Sequence, residues 1–433
     1  MKFVSGKILL VIAIAVMLSV NASAQGNELT LDDCIELALQ NRASIIAARG
    51  AESLAKAQQR SALGAFLPRV DASYSYSRGK ETDIEPPDPV DEQDLGTSKS
   101  LNLSARMSVF DLSNWFGYFS SRAARNAARL DVINSEQDLI YSVKLSYYAY
   151  LAAVRGVEVQ ESAVARSEEQ LKLIQSRYEL GSASRSDVLK QKVLYGNEQL
   201  ALLRARNAVV TSKAGLAYTI GLDPNTEMEF SADYSVREFE GTVDEAIAYG
   251  MGHEPGLLAA RSNVSAASRG VKESYARYLP SVWASYSFTK FNGTQAFPAV
   301  FDYSSNTRRW GFSISWNIFD GFNREGYVTN NRVNLNNARA GLADTRNLVT
   351  REIKTAYFEI EQQREATRVA AETVEASSED LKITQEKYNL GAATILDLLD
   401  AQASLIEAQV SQIRADFDFN LAIAQLENAM GKM

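Results

Sequence analysis

Apolar and polar residues alternate in four short stretches of the chain. Leu101, Leu103, Ala105, Met107 and Val109 are interleaved with Asn102, Ser104, Arg106 and Ser108; Trp310, Phe312, Ile314, Trp316 and Ile318 with Gly311, Ser313, Ser315 and Asn317. Ala72, Tyr74 and Tyr76, and likewise Val282, Ala284, Tyr286 and Phe288, form an apolar face opposite Ser and Thr. A period of two in β-rich residues predicts strands, placed at about 70–78, 101–110, 282–290 and 310–318. Their length and aromatic-rich face suit tilted strands crossing an outer membrane better than the edge of a soluble sandwich. Elsewhere the period is helical. Proline is absent between 90 and 223 and after 298, in stretches rich in Ala, Arg, Glu, Gln, Leu and Ser, which permits long helices at about 113–180, 186–220, 323–390 and 394–429. The longest would measure about 100 Å. Seven-residue spacings (Leu399, Ile406, Ile413; Val410, Phe417, Ala424) predict coiled-coil packing, and Ser186 is a plausible N-cap.

The pattern is written twice. Phe66-Leu67-Pro68 through Tyr76 recurs as Tyr278-Leu279-Pro280 through Phe288, and Arg177-Tyr178-Glu179-Leu180-Gly181 recurs as Lys387-Tyr388-Asn389-Leu390-Gly391. Between them Val109-Phe110-Asp111 matches Ile318-Phe319-Asp320. The expected organisation is a leader at 1–24, a first repeat at 25–221, a polar linker at 222–240 and a second repeat at 241–433. In the leader, Lys2 and Lys7 precede a thirteen-residue apolar run and Ala22-Ser23-Ala24, the form of a secretory signal peptide. Gln25, not Cys, follows it, which argues against a lipid anchor.

Four strands cannot close a barrel, and an open strand edge in lipid leaves backbone groups unpaired at several kcal/mol each. Several copies must therefore share one barrel: two would give eight strands and a filled interior, three would give twelve and an aqueous bore. Since each strand pair leaves and returns to helices, all helices are expected on one side of the membrane. The connecting segments, Gly79 to Ser100 and Asn292 to Arg309, are expected on the other. The first is acidic (Glu81, Asp83, Glu85, Asp88, Asp91, Glu92, Asp94), as suits an exposed extracellular loop.

Composition removes rival classes. A net charge of −8, or −10 once the leader is removed, lacks the basic face of a nucleic-acid binder. One Cys (Cys34) and one His (His253) exclude an intramolecular disulfide, a Cys/His zinc site and a Cys–His catalytic pair. Cys34 reads as a small core residue of an amphipathic helix, and Tyr147 and Tyr357 read as coiled-coil packing. No phosphate loop, dinucleotide fingerprint or hydrolase motif occurs, so neither enzymatic activity nor a cofactor is expected. A periplasmic coiled-coil adaptor or scaffold without a channel is the rival reading.

The duplicated unit, the Phe-Leu-Pro and Tyr-Leu-Pro strand starts, the Phe-Asp junctions and the paired Tyr-x-Leu-Gly hairpins resemble the TolC-like outer-membrane efflux proteins, over Leu29 to Gly431. The resemblance implies a homotrimer with a twelve-stranded transmembrane β-barrel, continued by a coiled-coil α-helical tunnel across the periplasm. It further implies a passive exit duct for a tripartite efflux or type I secretion system, opened when a periplasmic adaptor (a membrane fusion protein) and an inner-membrane transporter dock. Asp397 and Asp400, three apart on one helix face, then line the periplasmic constriction as two acidic rings; the first copy has Asp187 and Lys190 there. Asp187 and Tyr388 match gate-link positions, whereas Ala393 stands where the family often has Arg. Leu180, Gly181, Leu390 and Gly391 are candidate adaptor contacts at the hairpin tips.

Overall fold

The computed structural model describes residues 28–83, 91–226, 228–231, 239, 241–295 and 301–433. The leader, Glu85, Asp88 and nine of the nineteen linker residues lie outside the described residues. Among the described residues, six elements occur in one order twice. The first set is α1 (Leu31–Asn41), α2 (Ala43–Gly64), β1 (Arg69–Asp83), β2 (Asp91–Phe110), α3 (Leu112–Glu179) and α4 (Arg185–Thr219). The second is α5 (Val243–His253), α6 (Pro255–Ala276), β3 (Ser281–Gln295), β4 (Phe301–Ser315), α7 (Asn323–Asn389) and α8 (Ile395–Met430).

The compact units do not coincide with the two copies. One comprises Met1–Ile46, Asn134–Glu254 and Val349–Met433; the other comprises Ala47–Ile133 and Pro255–Leu348. Each unit thus draws on both copies. A copy contributes half a sheet and half a helical layer, neither of which can bury its apolar surface alone.

The second unit carries the sheet, an antiparallel β1-β2-β3-β4 meander. Its strands run further than the alternating pattern predicts, through most of what the sequence reading assigned to connecting segments. Lys80–Asp83 pair with Asp91–Asp94, and Asn292–Gln295 pair with Phe301–Ser304. The apolar alternation stops at Tyr76, Leu101, Phe288 and Trp310, while the ladder hydrogen bonds, blind to side-chain chemistry, continue. At the other end β4 stops at Ser315, three residues before the apolar alternation does.

In the first unit the core gathers Cys34, Ala38, Ile45, Val143, Tyr147, Leu151, Leu216, Ile220 and Phe417. Burial pushes the Cys34 thiol up to about 12, so it behaves as a small apolar side chain. The two repeated tyrosines do more than pack. Tyr147 donates its hydroxyl to the Ser231 carbonyl at 2.7 Å and Tyr357 to the Gly241 carbonyl at 3.3 Å, so the same position of each long helix holds a backbone carbonyl, one in the middle of the linker and one just after it. Leu29 also pairs with Phe230 in a parallel bridge.

Four helices begin with reciprocal capping boxes, at the same two places in each copy: Thr30/Asp33 and Thr242/Glu245 on the short helices, Ser184/Asp187 and Thr394/Asp397 at the tips. The N-cap of α4 is therefore Ser184, not Ser186. Three residues on from Ser184 lies a carboxylate that returns the hydrogen bond; the residue three beyond Ser186 is Leu189.

Candidate functional site

Two regions carry the chemistry, one in each unit. In the sheet, the pairing register decides which side chains share a face. Ala72 pairs with Leu103 and Tyr74 with Leu101; Leu103 pairs with Phe288 and Ala105 with Tyr286; Ala284 pairs with Phe312, Tyr286 with Trp310 and Val282 with Ile314. Up to the bulge after Ser108 and the end of β4 at Ser315, all four alternating stretches therefore place their apolar residues on one face. That face is open: Trp310, Phe312 and Ile314 are at least 70% exposed, and Val70, Tyr74 and Tyr76 more than half exposed. In water such a patch would be a severe liability, far larger than a soluble monomer tolerates. In hydrocarbon it costs nothing.

The opposite face is polar. Ser75 and Ser100 share a hydrogen bond at 2.8 Å and Ser77 and Ser98 one at 2.7 Å; Thr289 donates to Asn102 Oδ1 at 3.0 Å. Trp283 interrupts this face, its indole N–H donating to Ser281 Oγ at 3.0 Å. Among the described residues β1 and β4 each pair on one side only, so both lateral edges of the sheet present unpaired N–H and C=O groups.

The other region is the pair of turns α3–α4 and α7–α8. Both turns have the same construction. Leu180 and Leu390 end the helical hydrogen bonding, and Gly181 and Gly391 adopt φ of +80° and +72°, the left-handed conformation that glycine takes without a Cβ penalty. Leu180 and Leu390 are 84% and 85% exposed, so nothing within the described chain covers either tip. Beneath them Ile174, Ile395 and Leu398 form a small buried cluster with Val188, Leu381 and Tyr388, joining the two turns of one chain.

The acidic side chains are placed unequally. Asp397 and Asp400 are both exposed, on the side of α8 away from buried Ile395 and Leu398. Asp397 also caps its helix. Its Oδ2 accepts from the Thr394 N–H at 2.8 Å and the Thr394 hydroxyl at 2.7 Å, and these bonds hold its carboxyl below the usual carboxylate range. Asp187 caps α4 in the same way, accepting from the Ser184 N–H at 3.1 Å. Tyr388 is half-buried; burial pushes its phenol up, the neighbouring Asp187 charge adds to this, and Arg177 opposes it. The structure thus brings Tyr388 and Asp187 into one neighbourhood, with Asp397 and Asp400 on another face.

Arg177 is the residue that sequence reasoning missed. Its guanidinium lies 5.5 Å from the Tyr388 ring centroid, and Nη2 donates to Asn389 Oδ1 at 2.8 Å. The expected cation at 393 is replaced by Ala393, and one reaches Tyr388 from the other turn. The available signal was the alignment of Arg177 with Lys387 in the repeat, which marks both positions as basic without saying which crosses over.

With this geometry in hand, known proteins place the chain. The profile of the outer membrane efflux protein family matches residues 34–222 and 251–432, once per copy. The chain belongs to that family. It is 25% identical over 408 residues to the outer membrane efflux protein BepC of Brucella suis biovar 1, covering 93% of this chain and 86% of that one. It is 22% identical over 386 residues to the outer membrane protein TolC of Escherichia coli, covering 85% and 75%. Among solved structures, VceC of Vibrio cholerae superposes with a TM-score of 0.76 at 22% identity, covering 93% of this chain and 96% of that one. The Campylobacter jejuni CmeC channel gives 0.80 at 16% identity, covering 93% and 85%. The chain is accordingly an outer-membrane channel for efflux or type I secretion, with its helical part in the periplasm. The apolar face of its sheet is the face that meets lipid.

Proposed function

We propose that three copies close one twelve-stranded barrel around an aqueous bore, and that the assembly passively conducts cargo delivered by an inner-membrane transporter through a periplasmic adaptor, catalysing no reaction itself. The observation that carries this reading is a sheet with one lipid-compatible face, one Ser-rich face and two unpaired edges. In a bilayer those edges must pair, and with four strands per chain only other copies of the chain supply partners in register. Three is the copy number that leaves the Ser-rich face lining water. The protein purified in mild detergent should therefore run at three times the chain mass and form conducting pores in planar bilayers. A monomer stable without detergent would exclude the proposal.

At the α7–α8 turns, six carboxylates from Asp397 and Asp400 of three chains would form two acidic rings, focusing a negative potential at a narrow mouth. Tyr388 and Asp187, with Arg177, hold neighbouring turns together in the closed state. Leu180, Gly181, Leu390 and Gly391 offer the adaptor two bare apolar knobs per chain. Multivalent cations added on the periplasmic side should depress conductance, and Asp397→Asn with Asp400→Asn should relieve the block. Asparagine is the substitution of choice because it retains the capping acceptor. Equal block in the double variant would remove the rings from the mechanism.

A further inference from the structure

The lipid-facing side of the sheet ends, towards the strand-connecting segments, in a row of cations. On each strand the outward position two residues beyond the last apolar one is basic. Arg78 follows Tyr76 on β1, Lys99 lies beyond Leu101 on β2, Lys290 follows Phe288 on β3, and Arg308 lies beyond Trp310 on β4. All four are exposed. Most positions flanking them on the polar face carry no charge (Ser77, Ser98, Ser100, Thr289, Thr307), Arg309 being the exception; the next outward residues are neutral Thr97, Asn292 and Asn306 on β2, β3 and β4, and Lys80 adds a second cation on β1. The basic residues therefore form one line rather than belonging to a generally basic region.

That line stays close to level in a barrel. Strands about 4.8 Å apart and tilted by about 35–45° displace a horizontal line by roughly 1–1.5 residues per strand. Because outward side chains recur every second residue, the line can be followed only in steps of zero or two. In the ladder Lys99 pairs with Tyr76, Lys290 with Leu101 and Arg308 with Phe288, so each cation lies two residues from its neighbour's level, always in one direction. The opposite margin of the apolar band descends the same way: Val70 is the first apolar residue of β1, whereas β2 continues to Phe110 and the alternation beyond β4 to Ile318. Two of the cations rest against aromatic rings at the band's margin, Lys99 at 6.0 Å from Tyr76 and Arg308 at 5.8 Å from Phe288. The rings hold the charged ends at the height where hydrocarbon gives way to headgroups.

We infer that Arg78, Lys99, Lys290 and Arg308 form a belt that binds the phosphate groups of phosphorylated lipid in the outer leaflet. This rests on the barrel reading, which puts their face against lipid and the helices on the periplasmic side. A continuous ring of one cation per strand matches a continuous layer of headgroup anions, and juxtamembrane basic residues gain affinity from such a layer. It fits a soluble ligand poorly, since no cleft gathers the four charges.

Native mass spectrometry of the full-length protein in detergent tests this, with bisphosphorylated lipid A, its dephosphorylated form and inorganic phosphate as probes. Bisphosphorylated lipid should be retained roughly tenfold or more over the dephosphorylated form. The R78Q/K99Q/K290Q/R308Q variant should lose that preference, and millimolar inorganic phosphate should leave the lipid in place. Equal retention of the two lipids by the unaltered protein overturns the inference, whether or not the variant assembles. So does a preference that survives in the variant, or displacement by inorganic phosphate, which would indicate a free-phosphate site. Single-channel conductance of the unaltered protein, recorded alongside, fails only if the barrel reading is wrong.

Discussion

Both copies change from strand to long helix at a Phe-Asp dipeptide, yet the two junctions are held differently. At the first, Asp111 leads almost directly into α3, and its Oδ1 accepts from the Ser113 N–H at 2.9 Å and the Ser113 hydroxyl at 2.6 Å. This is a local cap, made and satisfied within three residues. At the second, Gly321 and Phe322 adopt φ of +68° and +67° before α7 begins, and Asp320 pairs with buried Arg324 at 3.1 Å. The Arg324 guanidinium also donates to the Asn317 and Ile318 carbonyls at 2.7 and 2.9 Å and lies 4.6 Å from the Tyr278 ring. An identical dipeptide thus serves as a cap in one copy and as half of a buried ion pair in the other. The downstream residues decide which: Ser two positions after Asp111, Arg four after Asp320.

The largest expected effect comes from breaking that second junction. With the Arg324 and Asp320 side chains only 10% and 15% exposed, Asp320→Ala strands a guanidinium among carbonyls and should cost about 3–5 kcal/mol. Asp111→Ala removes only a cap and should cost about 1 kcal/mol. Denaturant unfolding of the two variants measures the gap directly. Replacing Asp320 and Arg324 together with apolar residues of similar volume should recover much of the loss; no recovery would mean that the backbone turn at Gly321 and Phe322, not the ion pair, carries the junction.

The tips offer the same kind of comparison with smaller energies. Arg177 and Lys387 are repeat equivalents, but only Arg177 reaches the other turn's Tyr388 and Asn389. A planar guanidinium can stack and donate sideways together, which an ammonium cannot do. Arg177→Gln should therefore ease opening between the turns by about 1–2 kcal/mol, read as faster hydrogen exchange at 174–190 and 388–400. Lys387→Gln should leave exchange unchanged. Equal effects would show that charge alone, not the crossing contact, holds the tips.

Much of this architecture is legible in the chain because it repeats and because two solvents act on it. Lipid on one side and water on the other impose the period of two, so the strand faces can be read from Leu101 to Val109 without a structure. Where β1 and β2 continue beyond the apolar band, the sequence no longer alternates apolar with polar residues and the signal disappears although the ladder does not. The tip residues were legible as types, not as contacts. Ser184-x-x-Asp187 and Thr394-x-x-Asp397 form capping boxes where the sequence alone pointed to Ser186, and they give Asp187 and Asp397 a local task alongside any role in the passage. The reach of Arg177 depends on how two turns pack, which no spacing within one turn encodes.

The smallest expected effect separates two groups of the same turn by the sign of their pH dependence. The Asp397 carboxyl lies below its ordinary value because the Thr394 N–H and hydroxyl favour the charged form. Its contribution is therefore present above the unfolded value of about 4 and lost as pH falls through the lower folded value. The Tyr388 phenol lies above its ordinary value, chiefly through burial. Its contribution is present below about 10 and lost as pH rises through the higher folded value. The turn should thus be most rigid between these limits and loosen at both ends. A spin label on a Leu390→Cys variant reports this mobility cleanly, because the native Cys34 is fully buried and its thiol is pushed up to about 12, leaving it unreactive. Asp397→Asn should flatten the acid limb alone, and Tyr388→Phe the alkaline limb alone. If either substitution flattened both limbs, the cap and the buried ring would form one cooperative unit rather than two independent supports.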